Sequence, residues 1–247
     1  MNKKVSYLVS VGIFILFAGV VVIRQRTPFN LSLLSGYETL VFEGFRNTIY
    51  ASFIALFGSV VLGFIFYLLS ASKVRFFHAF TNVFTEIIYG TPLLVMIFAM
   101  AFVIGPAFIN RPSQQEVHIL GVVGIIIYIT PYMTNIFKSA FSSISDEQYM
   151  AMDLFGFTPF QRYRYIIIPQ VIRILMPPLM NNFSLIIKGS ALLSVLSYRE
   201  LFYAIQIVQS RTFAFTEAFL LMWALYLIIT IPLSQMTRWL ERRWALE

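Results

Sequence analysis

Few side chains in this sequence are placed to do chemistry. Lys188 is the ionisable residue set well inside an apolar run, between Ile187 and Gly189. A charge there is costly and usually faces a wet cavity or a bundle interior. Lys188 is therefore a candidate for lining or gating a path; its ordinary role is a cation that pairs locally or snorkels. Glu86 opens another apolar run, as a rim partner for a cation or part of a gate. Asn47, Thr48, Gly90, Thr91, Pro92, Asn182 and Ser190 add polar or kink-forming groups in or near such runs, where hydrogen bonding between helices is their ordinary use. Nothing resembles an enzyme's machinery: no nucleophile–base pair, no H-E-x-x-H and no G-x-S-x-G. No G-x-x-x-x-G-K-[ST] run exists to cradle nucleotide phosphates. The absence of cysteine excludes disulfides, thiol chemistry and Cys-based metal sites. His78 and His118 fall on opposite sides of the membrane in the topology below, so no metal site is expected.

The most organised polar stretch is Ser145 to Gln170, S-D-E-Q-Y-M-A-M-D-L-F-G-F-T-P-F-Q-R-Y-R-Y-I-I-I-P-Q. Ser145 with Gln148 reads as a capping box, and Asp146 and Glu147 then occupy the first turn, where the helix dipole favours negative charge. Gly156 stands where a helix end needs a left-handed residue. Thr158 opens a second helix, with Pro159 at its first position and Gln161 closing another box. The reading is a short helix of about ten residues, a glycine turn, and a second helix that carries Arg162 and Arg164 into a span. Tyr149, Met150, Met152 and Phe155 form an apolar cluster on the first helix, suited to docking in a partner's groove.

This segment resembles the cytoplasmic loop of ABC importer permeases, whose usual form is E-A-A-x-x-x-G followed by I-x-L-P. Here it reads Met150-Ala151-Met152-Asp153-Leu154-Phe155-Gly156, then Ile166-Ile167-Ile168-Pro169-Gln170, with Met in place of the leading Glu and the second Ala. The run from Gln161 through Phe183 is similar to the polar amino-acid branch of the family. Two further signatures match in part. Glu86 to Leu93 resembles E-x-x-R-G-T-P-L, with Tyr89 for the Arg; Lys188 to Leu192 resembles K-D-T-S-L, with Gly189 for the Asp. Asn135 stands where the family usually has an acid.

The resemblance covers residues 43 to 244 and implies an all-α integral membrane protein of the type I ABC importer transmembrane fold. It implies a permease subunit that passes polar amino acids from an extracytoplasmic substrate-binding protein to the cytoplasm by alternating access. It implies a second permease, identical or homologous, and two copies of an ATPase that hold ATP and Mg. In that reading Asp146, Glu147, Tyr149, Met150, Ala151, Met152, Asp153, Phe155, Gly156, Pro159 and Arg162 couple the chain to the ATPase. Asn47, Thr48, Glu86, Gly90, Thr91, Pro92, Asn182, Lys188 and Ser190 line the path. The departures at Met150, Tyr89, Asn135 and Gly189 also suit one half of a heterodimer.

Composition agrees with a membrane protein. Of 247 residues, 59% are hydrophobic and 12% charged, with mean hydropathy +0.79, whereas a soluble domain has about a quarter of its residues charged. The pI near 9.7 would suit nucleic-acid binding in a soluble protein; in a membrane protein it reflects basic loops. Six spans are expected: a retained N-terminal helix over residues 5–23, preferred to a signal peptide, then five core spans over 47–71, 84–108, 119–141, 171–196 and 215–236. Three regions follow: the N-terminal transmembrane helix 1–26, an extracytoplasmic linker and surface helix 27–46, and the permease domain 47–244. With the 145–170 loop inside a bacterial cell, Lys3, Lys4, Lys73, Arg75, Arg162, Arg164, Arg238, Arg242 and Arg243 share the cytoplasmic side with both termini. They outnumber Arg24, Arg26, Arg46, Arg111, Arg199 and Arg211 outside. The alternative class, a secondary transporter or channel subunit, would show inverted repeats and acids deep in its spans, and neither is seen.

Overall fold

The computed structural model describes residues 3–24 and 29–244. Arg26, and the boundary expected between residues 26 and 27, lie outside the described residues. Among those described, every regular element is helical: α1 (Lys3–Ile23), α2 (Glu38–Ser70), α3 (Arg75–Tyr89), α4 (Leu93–Phe108), α5 (Gln114–Ser142), α6 (Asp146–Leu154), α7 (Pro159–Leu196), α8 (Leu201–Thr212) and α9 (Phe215–Trp244). Four of them, α2, α5, α7 and α9, are long and apolar enough to cross a membrane. The pair α3 and α4 passes the same test together but is bent by 110°. Within α1 the stretch Leu8–Val20 is apolar, and its side chains are mostly exposed.

The bundle is built on small residues. On α2, Gly44, Thr48, Ala51, Ser52, Ala55, Ser59 and Gly63 recur at helical spacing and are buried. Large apolar groups on the same helix, Phe53, Phe57 and Ile65, are exposed. In water that pattern would be inverted; in lipid, close backbone approach drives helix association and bulky side chains face the tails. The shared core joins Ala51 and Ala55 of α2, Ile97 of α4, Ile125 and Met133 of α5, and Ile186 and Leu193 of α7.

Three boundaries differ from those expected. The surface helix near 37–45 and the span begun at 47 are one helix, α2, because no proline or turn signal interrupts residues 38–70. The basic loop expected over 72–81 is helical from Arg75 onward. The third span is interrupted at its kink-forming residues, as their types predict. It breaks at Gly90-Thr91-Pro92, where Pro92 supplies no N–H and α4 starts afresh with an extended Pro92 (ψ 143). Thr91 Oγ1 donates to the Ile87 carbonyl at 2.7 Å, satisfying one group freed by the break. In contrast α5 runs unbroken through Pro131 and begins earlier than expected, where Ser113 and Glu116 form a capping box.

Candidate functional site

The loop between α5 and α7 is closed by local bonds. The Ser145 hydroxyl accepts the Gln148 N–H at 3.4 Å and caps α6. Glu147 lies in the first turn, and hydrogen bonds from Ser145 and from its own N–H lower its carboxyl below the usual value. The box expected at Ser145 is only half formed: the Gln148 amide turns instead to Gln170, whose Nε2 donates to Gln148 Oε1 at 3.3 Å. At the other end the chain makes a Schellman turn. Gly156 N–H bonds the Asp153 carbonyl and Phe157 N–H the Met152 carbonyl, both at 3.0 Å. Gly156 takes φ +67, the left-handed conformation that its sequence position predicts. Thr158 and Gln161 complete the second capping box, with Pro159 at the first position. Arg162 pairs with Asp153 across the turn.

The structure divides the apolar cluster expected on α6. Met152 is 2% exposed and packs with Ala140, Ile144, Ile167 and Val171 beneath the helix, and Tyr149 lies half-buried against the same group. Met150 and Phe155 do face outward, joined by Leu154 (88% exposed), Phe155 itself being 80% exposed, and by Phe160. Leu154 and Phe160 are not among the residues expected from the sequence; the helical phase that buries Met152 puts Leu154 outside, and Phe160 is exposed on the first turn of α7. Asp146, Ala151 and Pro159 are exposed on the same elbow. An apolar cavity of about 540 Å³ under its edge is lined by Gln148, Ala151, Met152, Phe155, Phe157, Ile166 and Gln170.

The residues expected to line a path fall in separate groups within this chain. Lys188 faces a polar cavity of about 530 Å³ between α7 and α9, shared with Asn181, Ser184, Thr230, Ser234 and Arg238. Sequence reasoning left Arg238 as a terminal cation; only helix pairing shows that it shares this cavity. Asn182 and Ser190 make their side-chain hydrogen bonds within α7, and the buried Asn182 Oδ1 has no partner among the described residues. Asn182 Nδ2 donates to the Pro178 carbonyl, and buried Ser190 donates to the Ile187 carbonyl. Asn47 and Thr48 lie elsewhere, as interhelical staples. Asn47 Nδ2 donates to the Arg199 carbonyl at 2.8 Å, and Thr48, fully buried, accepts the Leu201 N–H at 3.0 Å. Glu86 is exposed on α3, and no ion pair holds it among the described residues. Gly90, Thr91 and Pro92 form the α3–α4 break. There two of the four departures from the family pattern meet: Asn135 Nδ2 donates to the Tyr89 hydroxyl at 2.7 Å, and the Tyr89 ring lies 5.0 Å from that of Tyr132. A neutral hydrogen bond therefore ties the end of α3 to α5.

At the far end of α7 is a site the sequence did not reveal. Glu200, outside the candidate spans, is completely buried and caps α8. Its carboxylate accepts N–H bonds from Phe202 and Tyr203, both at 2.8 Å, and a longer bond from the Tyr226 hydroxyl of α9. Burial pushes its carboxyl up to about 7, against the lowering effect of those donors. Nearby, Glu217 at the start of α9 accepts the Asn30 N–H at 2.7 Å.

Comparisons with known proteins agree with one another. The family described as "Binding-protein-dependent transport system inner membrane component" matches residues 59–246. The chain is 31% identical over 214 residues to the probable glutamine ABC transporter permease protein GlnM of Bacillus subtilis (strain 168), covering 87% of this chain and 97% of that one. It is 31% identical over 209 residues to the glutamine transport system permease protein GlnP of Escherichia coli (strain K12), covering 83% and 92%. Its fold is similar to the crystal structure of an amino acid ABC transporter with histidines, at TM-score 0.76 and 27% identity, over 89% of this chain and 100% of that chain. The inward-facing MetNI methionine ABC transporter shares the fold at TM-score 0.59 and 16% identity, over 81% and 96%.

Proposed function

Because the chain belongs to the family of inner membrane components of binding-protein-dependent transport systems, we propose that it carries polar amino acids under the control of an ATPase docked on its α6 elbow. The chain is a multi-pass permease subunit of an ABC importer, a translocation component whose ATPase activity resides in a partner. The relatives named for glutamine and amino-acid transport support the class of solute. In this reading two permease chains, identical or homologous, meet two ATPase copies, which hold the ATP and Mg. An extracytoplasmic binding protein delivers the solute at the end of the bundle that holds Glu200. The elbow and both termini face the cytoplasm of a bacterial cell, in agreement with the excess of basic residues on that side.

One observation carries the coupling role. Met150, Leu154 and Phe155 stand exposed at α6, outside the candidate spans, and Phe160 is exposed on the first turn of α7, the elbow being held in shape by caps at each end. A water-facing loop without a partner rarely exposes so many large apolar groups, and a helix presenting them fits a groove. Nucleotide binding that moves the docked elbow biases the spans only through different interaction with the two ATPase states. Coupling therefore requires a rigid elbow. The test is purification of the tagged chain from its native membrane in mild detergent. The ATPase is expected to co-purify with the wild type and to be lost with Phe155→Glu. A chain recovered alone from every mild detergent would overturn the reading.

A further inference from the structure

We propose that Arg162 is a positioning residue for transport: by pairing with Asp153 it stops α6 from rolling against α7, and so sets how ATPase movement reaches the spans. The inference rests on the docking of the ATPase at the elbow.

The geometry separates Arg162 from the docking surface. Its side chain is 26% exposed and turned into the elbow, where the guanidinium pairs with Asp153 and its Nε donates to the Phe157 carbonyl at 2.9 Å. It thus bridges the last turn of α6, the glycine turn and the first turn of α7. It also sets a cation at the C-terminal end of α6, where the helix dipole favours one.

The attachments of α6 show what this bridge adds. Gln148 bonds Gln170 of α7, and Met152 sits in the apolar cluster formed with Ala140 and Ile144 on one side and Ile167 and Val171 on the other. Gln148 and Met152 are four residues apart and lie on one stripe of the helix. Those two attachments define an axis, and Tyr149, half-buried against the same cluster, opposes rotation about it by apolar contact alone. Asp153 is one residue further, about 100° around the helix. The Asp153–Arg162 pair therefore acts off that axis and resists the roll. Asp153 is 62% exposed, and an ion pair this open adds little to folding. Its loss should change the angle of α6 and leave the chain intact.

The test uses the whole transporter, with its co-purified ATPase and binding protein, in proteoliposomes. The readouts are the amount of ATPase retained and the glutamine taken up per ATP hydrolysed. Arg162→Gln and Asp153→Asn are each expected to retain the ATPase and to lower glutamine carried per ATP about fivefold. Arg162→Lys should recover part of the loss. Asp153→Arg combined with Arg162→Asp should recover more of it than either charge-reversed single variant. Ratios equal to the wild type in both neutral variants would overturn the proposal, as would an exchanged pair no better than the single reversals. A wild-type preparation without ATPase would instead remove the docking reading, and the proposal with it.

Discussion

The elbow at residues 145–170 and the junction at Glu200 both finish helix ends with local hydrogen bonds, and only the junction adds side-chain bonds from distant elements. In the elbow, the caps at Ser145 and Thr158 and the Gly156 turn use bonds between residues three to five apart, at an exposed surface. At the junction, partners lie 26 residues apart for Tyr226 and Glu200, 153 for Leu201 and Thr48, and 187 for Asn30 and Glu217. Water can replace any bond the elbow loses. It cannot reach Glu200 or Thr48, both fully buried, so a lost partner there leaves a polar group unsatisfied. The elbow thereby keeps its form through local bonds, as the proposed docking requires, whereas the junction holds α2, α8 and α9 together.

Variants can break or sharpen that contrast. The largest effect is expected at Gly44, where an added Cβ would lie 2.8 Å from Ala204 Cβ, 3.0 Å from the Glu200 carbonyl and 3.1 Å from Leu201 Cα. Two of these neighbours are backbone, so Gly44→Val should cost about 3 kcal/mol, the top of the range for overpacking. The check is the thermal midpoint in detergent, with ATPase recovery lost in proportion to folded chain. Next is pH. Glu200 stands at about 7 in the fold against an ordinary 4.5, so its contribution is fully present below 4.5 and is lost as pH rises through 7. A shift of that size corresponds to about 3 kcal/mol at most. The midpoint should fall between pH 5 and pH 8, and Glu200→Gln should flatten the profile; an unchanged slope would refute it.

Thr48→Val leaves the buried Leu201 N–H without its acceptor and should cost about 2 kcal/mol, read from the same midpoint. Gly156→Asp meets no atom within 4 Å, only the left-handed backbone, and should cost about 1 kcal/mol. The chain should still insert, but ATP-driven uptake should be abolished, because the angle between α6 and α7 changes. Normal uptake by this variant would refute the claim. Ser145→Ala, at about 1 kcal/mol or less, should weaken ATPase recovery least. If an elbow variant cost more stability than Gly44→Val, the contrast between the two regions would fail.

Where an element depends on neighbours in sequence, the sequence alone sufficed. The left-handed Gly156, the box at Thr158 and Gln161, and the break at Gly90-Thr91-Pro92 are set by backbone sterics and capping within a few residues. The proposed docking face was legible only in part: four apolar groups at α6 mark it as unusual, but the inward turn of Met152 depends on Ile167 and Val171 of α7. The nine expected path residues fall in separate groups within this chain, because polarity in an apolar run shows that a partner must exist without naming it.

What the sequence by itself determined is therefore the membrane class, the broken third span and the capped elbow, all consequences of apolar length and short-range backbone chemistry. What only the tertiary structure decided is which polar groups meet. Tyr89 and Asn135, 46 residues apart, each look like the loss of a charge and together make one neutral bond. Glu200 lies in what reads as a polar connection, and becomes a buried cap only because α2 and α9 close over it. Hydrogen bonds are satisfied wherever a partner arrives, and the arrival of a partner from a distant helix is fixed by packing.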